Sequence, residues 1–262
     1  MDFKGRRIWI TGASSGIGEA LAVAFHQAGA KLILSARRED ELKRVQSLCS
    51  GEPNTRILAM DVTNAAERPE KTQLALSMFG GIDVLVLNAG ITQRSLTRET
   101  DESVYRRLME VNFFASEALA RAILPSMLAQ KSGHMVVISS IAGKFGVPLR
   151  SGYSASKFAL HGFFEVLRSE EEKNGIHVTM VCPGYIRTDI SLSALRGDGG
   201  KHAKMDPGIQ QGMPTAECAR RILQGVARGK QEIIVGAKRE RGLVYLKRFF
   251  PDLLARMVGR RG

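Results

Sequence analysis

The sequence is poor in the residues that build stapled or metal-held folds. Its three cysteines, Cys49, Cys182 and Cys218, are scattered and odd in number. This speaks against a disulfide framework or a zinc cluster and fits a reducing compartment. The histidines at 26, 134, 161, 177 and 202 show no paired ligand spacing with cysteine or carboxylate, so no metal site is expected. No apolar run approaches the roughly 20 residues needed to cross a bilayer. Residues 1–5 do not resemble a signal peptide, because a strand-like run begins at Arg6. Internal repeats, low-complexity stretches and an interdomain linker are also missing. One domain over 1–262, in the cytoplasm, is the expectation.

What is present is a globular composition, 44% apolar and 24% charged, with a formal charge of +12. Residues 220–262 hold 12 Lys/Arg against 3 Asp/Glu, so 9 of the 12 excess charges sit in the tail. Short β-branched runs at 8–11, 31–35, 56–60, 84–87, 135–139, 178–182 and 232–235 alternate with helical patterns at 17–28, 39–49, 66–79, 101–130, 153–173 and 215–228. Most of the strand-like runs are continuously apolar, which predicts a parallel sheet covered by helices on both faces. The fold expected is α/β, a Rossmann-like doubly wound sheet of about seven parallel strands. The glycine-rich stretch at 191–213 reads as a functional loop or lid, about 189–214.

Between the first strand and first helix lies Gly12-Ala13-Ser14-Ser15-Gly16-Ile17-Gly18. Gly12 permits a tight turn, Gly16 lets a phosphate approach the backbone, and Gly18 allows close helix–strand packing, with free helix N–H groups facing the anion. The second strand ends in Arg37-Arg38 rather than an acid. Guanidinium forks suit a ribose 2′-phosphate, so NADP(H) is expected ahead of NAD(H). The plainer alternative is that both arginines solvate a helix start. Tyr153 and Lys157 stand four apart on one helical face. An ammonium beside a phenol favours the phenolate, which suits a general acid/base. Ser140, thirteen positions before Tyr153, would stabilise an alkoxide, with Ser139 as its rival.

In order and spacing, Thr11–Gly18, Asp61-Val62, Asn88-Ala89-Gly90, Asn112, Ser140, Tyr153-x-x-x-Lys157 and Pro183-Gly184 with Thr188 resemble the short-chain dehydrogenase/reductase superfamily over essentially the whole chain. The segments at 197–199 and 204–206 are similar to its dehydrogenase/reductase member 7 and 7B branch, near the hydroxysteroid dehydrogenases. The resemblance implies that Asp61 and Val62 flank the adenine, and that Asn88, Ala89 and Gly90 form a turn beneath the cofactor. It further implies that Pro183, Gly184, Ile186 and Thr188 line the nicotinamide end. Asn112 would hold a water in a proton relay, and Lys157 would also hold the nicotinamide ribose. Asn88-Ala89-Gly90 and Pro183-Gly184 are equally readable as mere turns. A homodimer or homotetramer through the helices at 101–130 and 153–173 is implied by analogy.

Leu243, Leu246, Phe250, Leu253, Leu254 and Met257 recur at helical spacing among basic residues, with Pro251 dividing two short helices. The segment 240–262 is read either as a cleft cover or subunit contact, or as an interfacial anchor for peripheral membrane contact. No nucleic-acid module accompanies the charge, so no nucleic-acid partner is expected. The expected reaction is NADP(H)-dependent hydride transfer to or from the carbonyl or secondary alcohol of a hydrophobic, lipid- or steroid-like substrate. The rival readings are an NADP(H)-sensing binding protein and a membrane-surface interaction protein.

Overall fold

The computed structural model describes residues 1–51 and 53–259. The chain begins β1 (Arg7–Thr11), α1 (Gly16–Gln27), β2 (Lys31–Ser35), α2 (Glu39–Leu48), β3 (Thr55–Ile57), α3 (Arg68–Met78) and β4 (Val84–Leu87). It continues through α4 (Glu102–Met109), α5 (Ala115–Ala129), β5 (Gly133–Ile138), α6 (Ser151–Glu171) and β6 (Ile176–Pro183). It closes with α7 (Pro207–Gln210), α8 (Thr215–Ala227), β7 (Glu232–Val235), α9 (Lys238–Phe249) and α10 (Pro251–Gly259). All seven strands form one parallel sheet, ordered β3-β2-β1-β4-β5-β6-β7. This is the Rossmann-like doubly wound sheet expected from the strand patterns.

Alternation along each strand divides the core between two faces. Ile8, Ile10, Leu32, Leu34, Val84 and Val86 pack with Leu21, Phe25, Leu42, Val45 and Ile222 from α1, α2 and α8. Trp9, Ile33, Leu85, Leu87, Met135 and Val137 pack with Ala75, Leu119, Ile123, Leu160 and Phe164 from α3, α5 and α6. Burial on both faces explains why the strands read as continuous apolar runs. Chain order reverses between β1 and β4, and at such a switch point the carboxyl ends of the strands leave a crevice.

Three expectations need correction. The third strand is Thr55–Ile57, not 56–60, because past Ile57 the chain only follows β2 through isolated bonds, Leu58 to Leu34 and Met60 to Ala36. The helix expected at 101–130 runs unbroken from Glu102 to Ala129 but is not uniformly α: a π-helical turn, Glu110–Phe114, joins α4 to α5. Such a turn changes the direction in which side chains project, and it aims Asn112 inward, fully buried. The stretch at 191–213 is also less irregular than expected. Met213 bridges Ile186, and Leu195 bridges both Gln93 and Lys201. Among the described residues no helix is long and apolar enough to cross a membrane.

Candidate active site

A cleft of about 1880 Å³ opens along the carboxyl ends of the strands. It is larger than the roughly 300–1,000 Å³ of an ordinary small-molecule pocket, which leaves room for a dinucleotide beside a substrate. At its floor, Gly12 and Gly16 take left-handed φ of +64° and +61°. A side chain at Gly12 would come within 2.8 Å of the Ala89 Cα, and one at Gly18 would overlap the Gly12 carbonyl oxygen. Asn88 locks this turn, its Nδ2 donating to the Thr11 and Gly12 carbonyls at 3.0 Å each. Thr11 Oγ1 accepts from the backbone N–H of Asn88 at 3.0 Å and of Ala89 at 3.3 Å. The turns after β1 and β4 are thus one hydrogen-bonded unit. Ser14, Ser15, Gly16 and Ile17 border the cleft where α1 begins.

Arg37 and Arg38 line the cleft beyond β2. Arg38 Nη2 donates to Ser14 Oγ at 3.3 Å. Arg37 is exposed and makes no side-chain hydrogen bond or ion pair among the described residues. Asp61 Oδ1 accepts from the Thr63 N–H and hydroxyl at 2.9 and 2.8 Å. Burial raises the Asp61 pKa, but those bonds together with Arg37 and Arg107 hold it below the ordinary carboxylate value. Val62 lies beside it on the cleft wall. A strand-end cradle that excludes side chains, a helix start with open N–H groups and an uncommitted guanidinium fit a dinucleotide phosphate.

At the other end of the cleft, α6 presents Tyr153 and Lys157. Lys157 is buried, donates from Nζ to the Ile138 carbonyl at 2.9 Å, and lies 5.8 Å from the centre of the Tyr153 ring. Burial pulls the Lys157 amine down to about 8. Burial raises the Tyr153 phenol, with Ser140, Arg150 and Arg94 opposing the rise. Ser140 Oγ accepts from the Ala142 N–H at 3.1 Å and faces the Pro183 carbonyl at 3.4 Å. Ser139 Oγ instead donates to the Lys157 carbonyl at 3.2 Å, a bond within the scaffold.

Asn112 does not offer a free amide. Its Oδ1 accepts from Ile91 N–H at 2.8 Å, and its Nδ2 donates to the Ile91 carbonyl at 3.0 Å and Ser156 Oγ at 2.9 Å. The side chain ties the chain after Gly90 to α6, and Gly90 sits close beneath both Asn112 Oδ1 and Lys157 Nζ. Pro183, Gly184, Ile186 and Thr188 line the cleft opposite. That turn is fastened from below by the buried Glu240 of α9, which accepts from Tyr185 N–H at 3.2 Å and Ala237 N–H at 2.9 Å. None of the described residues of α9 or α10 lines the cleft, so the structure does not support the cleft-cover reading of the tail.

Sequence reasoning missed Glu240, Arg94, Arg150 and Asp206. Arg94 follows the β4 turn and Arg150 precedes α6, so each lies next to a recognised motif. Asp206 lies in the 204–206 segment that carries the family resemblance, but no periodicity there gives it a role.

A doubly wound sheet, a glycine cradle at its switch point and a half-buried tyrosine next to a buried lysine define a nicotinamide-type oxidoreductase scaffold. The chain belongs to the short chain dehydrogenase family, which it matches over residues 6–197, and is an oxidoreductase of that family. It is 42% identical over 95% of its length to a dehydrogenase/reductase SDR family protein 7-like of Anopheles gambiae, covering 80% of that protein. It is 37% identical over 96% of its length to dehydrogenase/reductase SDR family member 7B of Mus musculus, again covering 80%. A Streptomyces avermitilis short-chain dehydrogenase structure is 30% identical, with a TM-score of 0.81, over 98% of this chain and 99% of that one. A Burkholderia phymatum short chain dehydrogenase/reductase solved with NAD shares the fold at a TM-score of 0.85 and 24% identity, over 97% and 96%.

Proposed function

We propose that this protein is a single-domain, NADP(H)-dependent oxidoreductase that interconverts a carbonyl and a secondary alcohol on a hydrophobic substrate. The observation that carries this is Ser140, Tyr153 and Lys157 on one wall of a cleft whose far end holds Arg37. The glycine cradle would take the pyrophosphate, Asp61 and Val62 the adenine, and Arg37 with Arg38 a 2′-phosphate. When bound, the nicotinamide supplies or accepts the hydride. In reduction, Tyr153 gives its phenolic proton to the carbonyl oxygen while Ser140 donates a hydrogen bond to the same atom. Because burial raises the phenol, Tyr153 stays protonated at neutral pH, the form that reduction requires. Lys157 would bond the nicotinamide ribose and, in oxidation, favour the phenolate. Asn112, whose amide braces the Ile91 segment against α6, would hold a water in the proton relay.

Tyr153→Phe should lower turnover in an NADPH-oxidation screen over graded carbonyls by about 10²- to 10⁴-fold while leaving NADPH affinity intact. Turnover at the parent rate would refute the mechanism. Arg37→Ala should weaken NADPH far more than NADH, and equal weakening would undo the cofactor preference.

The tail is read as a peripheral membrane contact. Leu246, Leu254 and Val258 pack toward Ile141 and Phe145, while Tyr245, Phe249, Phe250 and Leu253 face solvent beside Lys247, Arg248 and Arg256. Arg260 and Arg261 lie outside the described residues. Flotation with anionic liposomes, with and without residues 240–262, tests it. Exposed Phe114, Phe158 and Val166 on the long helices support a homodimer or homotetramer, which light scattering would size. A pure cofactor sensor would need no proton relay.

A further inference from the structure

Arg94, Arg150 and Asp206 arrive from three separate segments and meet beside Tyr153. Asp206 Oδ2 accepts from Arg94 Nε at 2.8 Å and from Arg150 Nη2 at 2.9 Å. All three side chains are withdrawn from solvent, at 6% exposure for Arg94, 16% for Arg150 and 18% for Asp206. Both arginines line the cleft that holds Tyr153 and Ser140, and both act on the Tyr153 phenol. Two guanidiniums share one carboxylate, which leaves one uncompensated positive charge in a desolvated place.

The two arginines are not equivalent. Arg94 is fixed on several sides, donating also to Thr92 Oγ1 at 3.1 Å and to the Gln93 carbonyl. Arg150 makes its single side-chain hydrogen bond to Asp206 and leans over the Tyr185 ring, 5.8 Å from its centre. The rest of its fork has no protein acceptor among the described residues. A half-buried cation with open donors facing a cleft calls for an oxyanion, and a guanidinium matches carboxylate or phosphate in a bidentate way. An ion pair serving only to fasten the 191–213 stretch would need one arginine, not two.

The geometry points to an anionic substrate: an apolar oxo or hydroxy compound whose carboxylate or phosphate is bound by Arg150, with Arg94 and Asp206 holding that guanidinium in place. This rests on the carbonyl–alcohol reading above and narrows it, since a wholly uncharged ketone would leave the charge without a partner.

The test is calorimetric titration of octanoate, octyl phosphate and octan-2-one into the full chain, with and without saturating NADP+, for the parent, Arg150→Ala and Arg150→Lys. One charge-assisted contact is worth about 10- to 100-fold in affinity. The parent should bind at least one anion about ten-fold or more tightly than the ketone. Arg150→Ala should abolish that preference without changing ketone affinity, and Arg150→Lys should restore part of it. Whichever anion binds more tightly names the headgroup. Equal binding of all three probes by the parent overturns the inference, as does an anion preference that survives Arg150→Ala. No turnover enters this readout. A failure of the Tyr153→Phe comparison would therefore sink the reaction and leave the anion result standing.

Discussion

Replacing Lys157 with methionine should make the protein more stable while removing its activity. The amine is buried and its pKa falls from 10.5 to about 8, chiefly because burial penalises the charge. At about 1.4 kcal/mol per pKa unit, that drop means the ammonium opposes folding by about 3 kcal/mol at neutral pH. Methionine occupies similar volume without charge. It abandons the charge-assisted bond to the Ile138 carbonyl, a loss of about 2 kcal/mol. The net gain of about 1 kcal/mol should raise the melting temperature of cofactor-free protein by roughly 2–4 °C.

The pH dependence gives a second check on the same variant. Below pH 8 both folded and unfolded states hold the proton, so the penalty is constant. Between pH 8 and 10.5 the folded state has released it while the unfolded state keeps it, so the parent gains stability as pH rises. The buried thiols of Cys49, Cys182 and Cys218 and the Tyr153 phenol, all raised by burial, act in the opposite direction in both proteins. The quantity to follow is therefore the difference in melting temperature between parent and variant, which should close across that window. A variant that melts at or below the parent at neutral pH, or a gap that ignores pH, would refute the reasoning.

Burial pulls His134 down to about 4, and its Nε2 lies 2.8 Å from Thr179 Oγ1. As pH falls from 6.5 toward 4 the unfolded state gains a proton that the folded state refuses, so about 3 kcal/mol of stability should drain away. Denaturant titrations across that range should show this, and His134→Gln should flatten the slope. Gly18→Ala should destabilise by about 1–3 kcal/mol and weaken NADPH, because the added methyl would meet the Gly12 carbonyl and stand 2.5 Å from Asn88 Nδ2. Gly242→Ala, with open space around it, should do neither. Glu240→Gln should cost about 1–3 kcal/mol by setting an amide N–H against a backbone N–H, and NADPH affinity should fall with it, as fluorescence titration would report.

The glycine cradle was legible in the sequence because each glycine answers a local demand of the strand–turn–helix unit. The two-sided core was legible for a similar reason, since strands covered on both faces need no alternation. Tyr153 and Lys157 were readable as a pair because four residues make about one helical turn. The π-helical turn at Glu110–Phe114 was not readable, since nothing local distinguishes it from the α-helix around it. Within it, Asn112 bonds both backbone groups of Ile91 in the segment that follows β4, a contact 21 residues apart in sequence.

The strand and helix patterns, the glycines of the cradle and the spacing that sets Tyr153 and Lys157 on one helical face were carried by local sequence, because each answers to the period or backbone freedom of a single element. Tertiary structure alone decided that Ser139 Oγ is tied to the Lys157 carbonyl, that the Asn112 amide fastens the Ile91 segment to α6, and that Glu240 from the tail fastens the 183–185 turn. It also decided that Arg94, Arg150 and Asp206 share one place, 112 residues separating the first from the last. Charge balance inside a cleft is a sum over everything that converges there, and convergence is a property of the fold that no stretch of sequence carries.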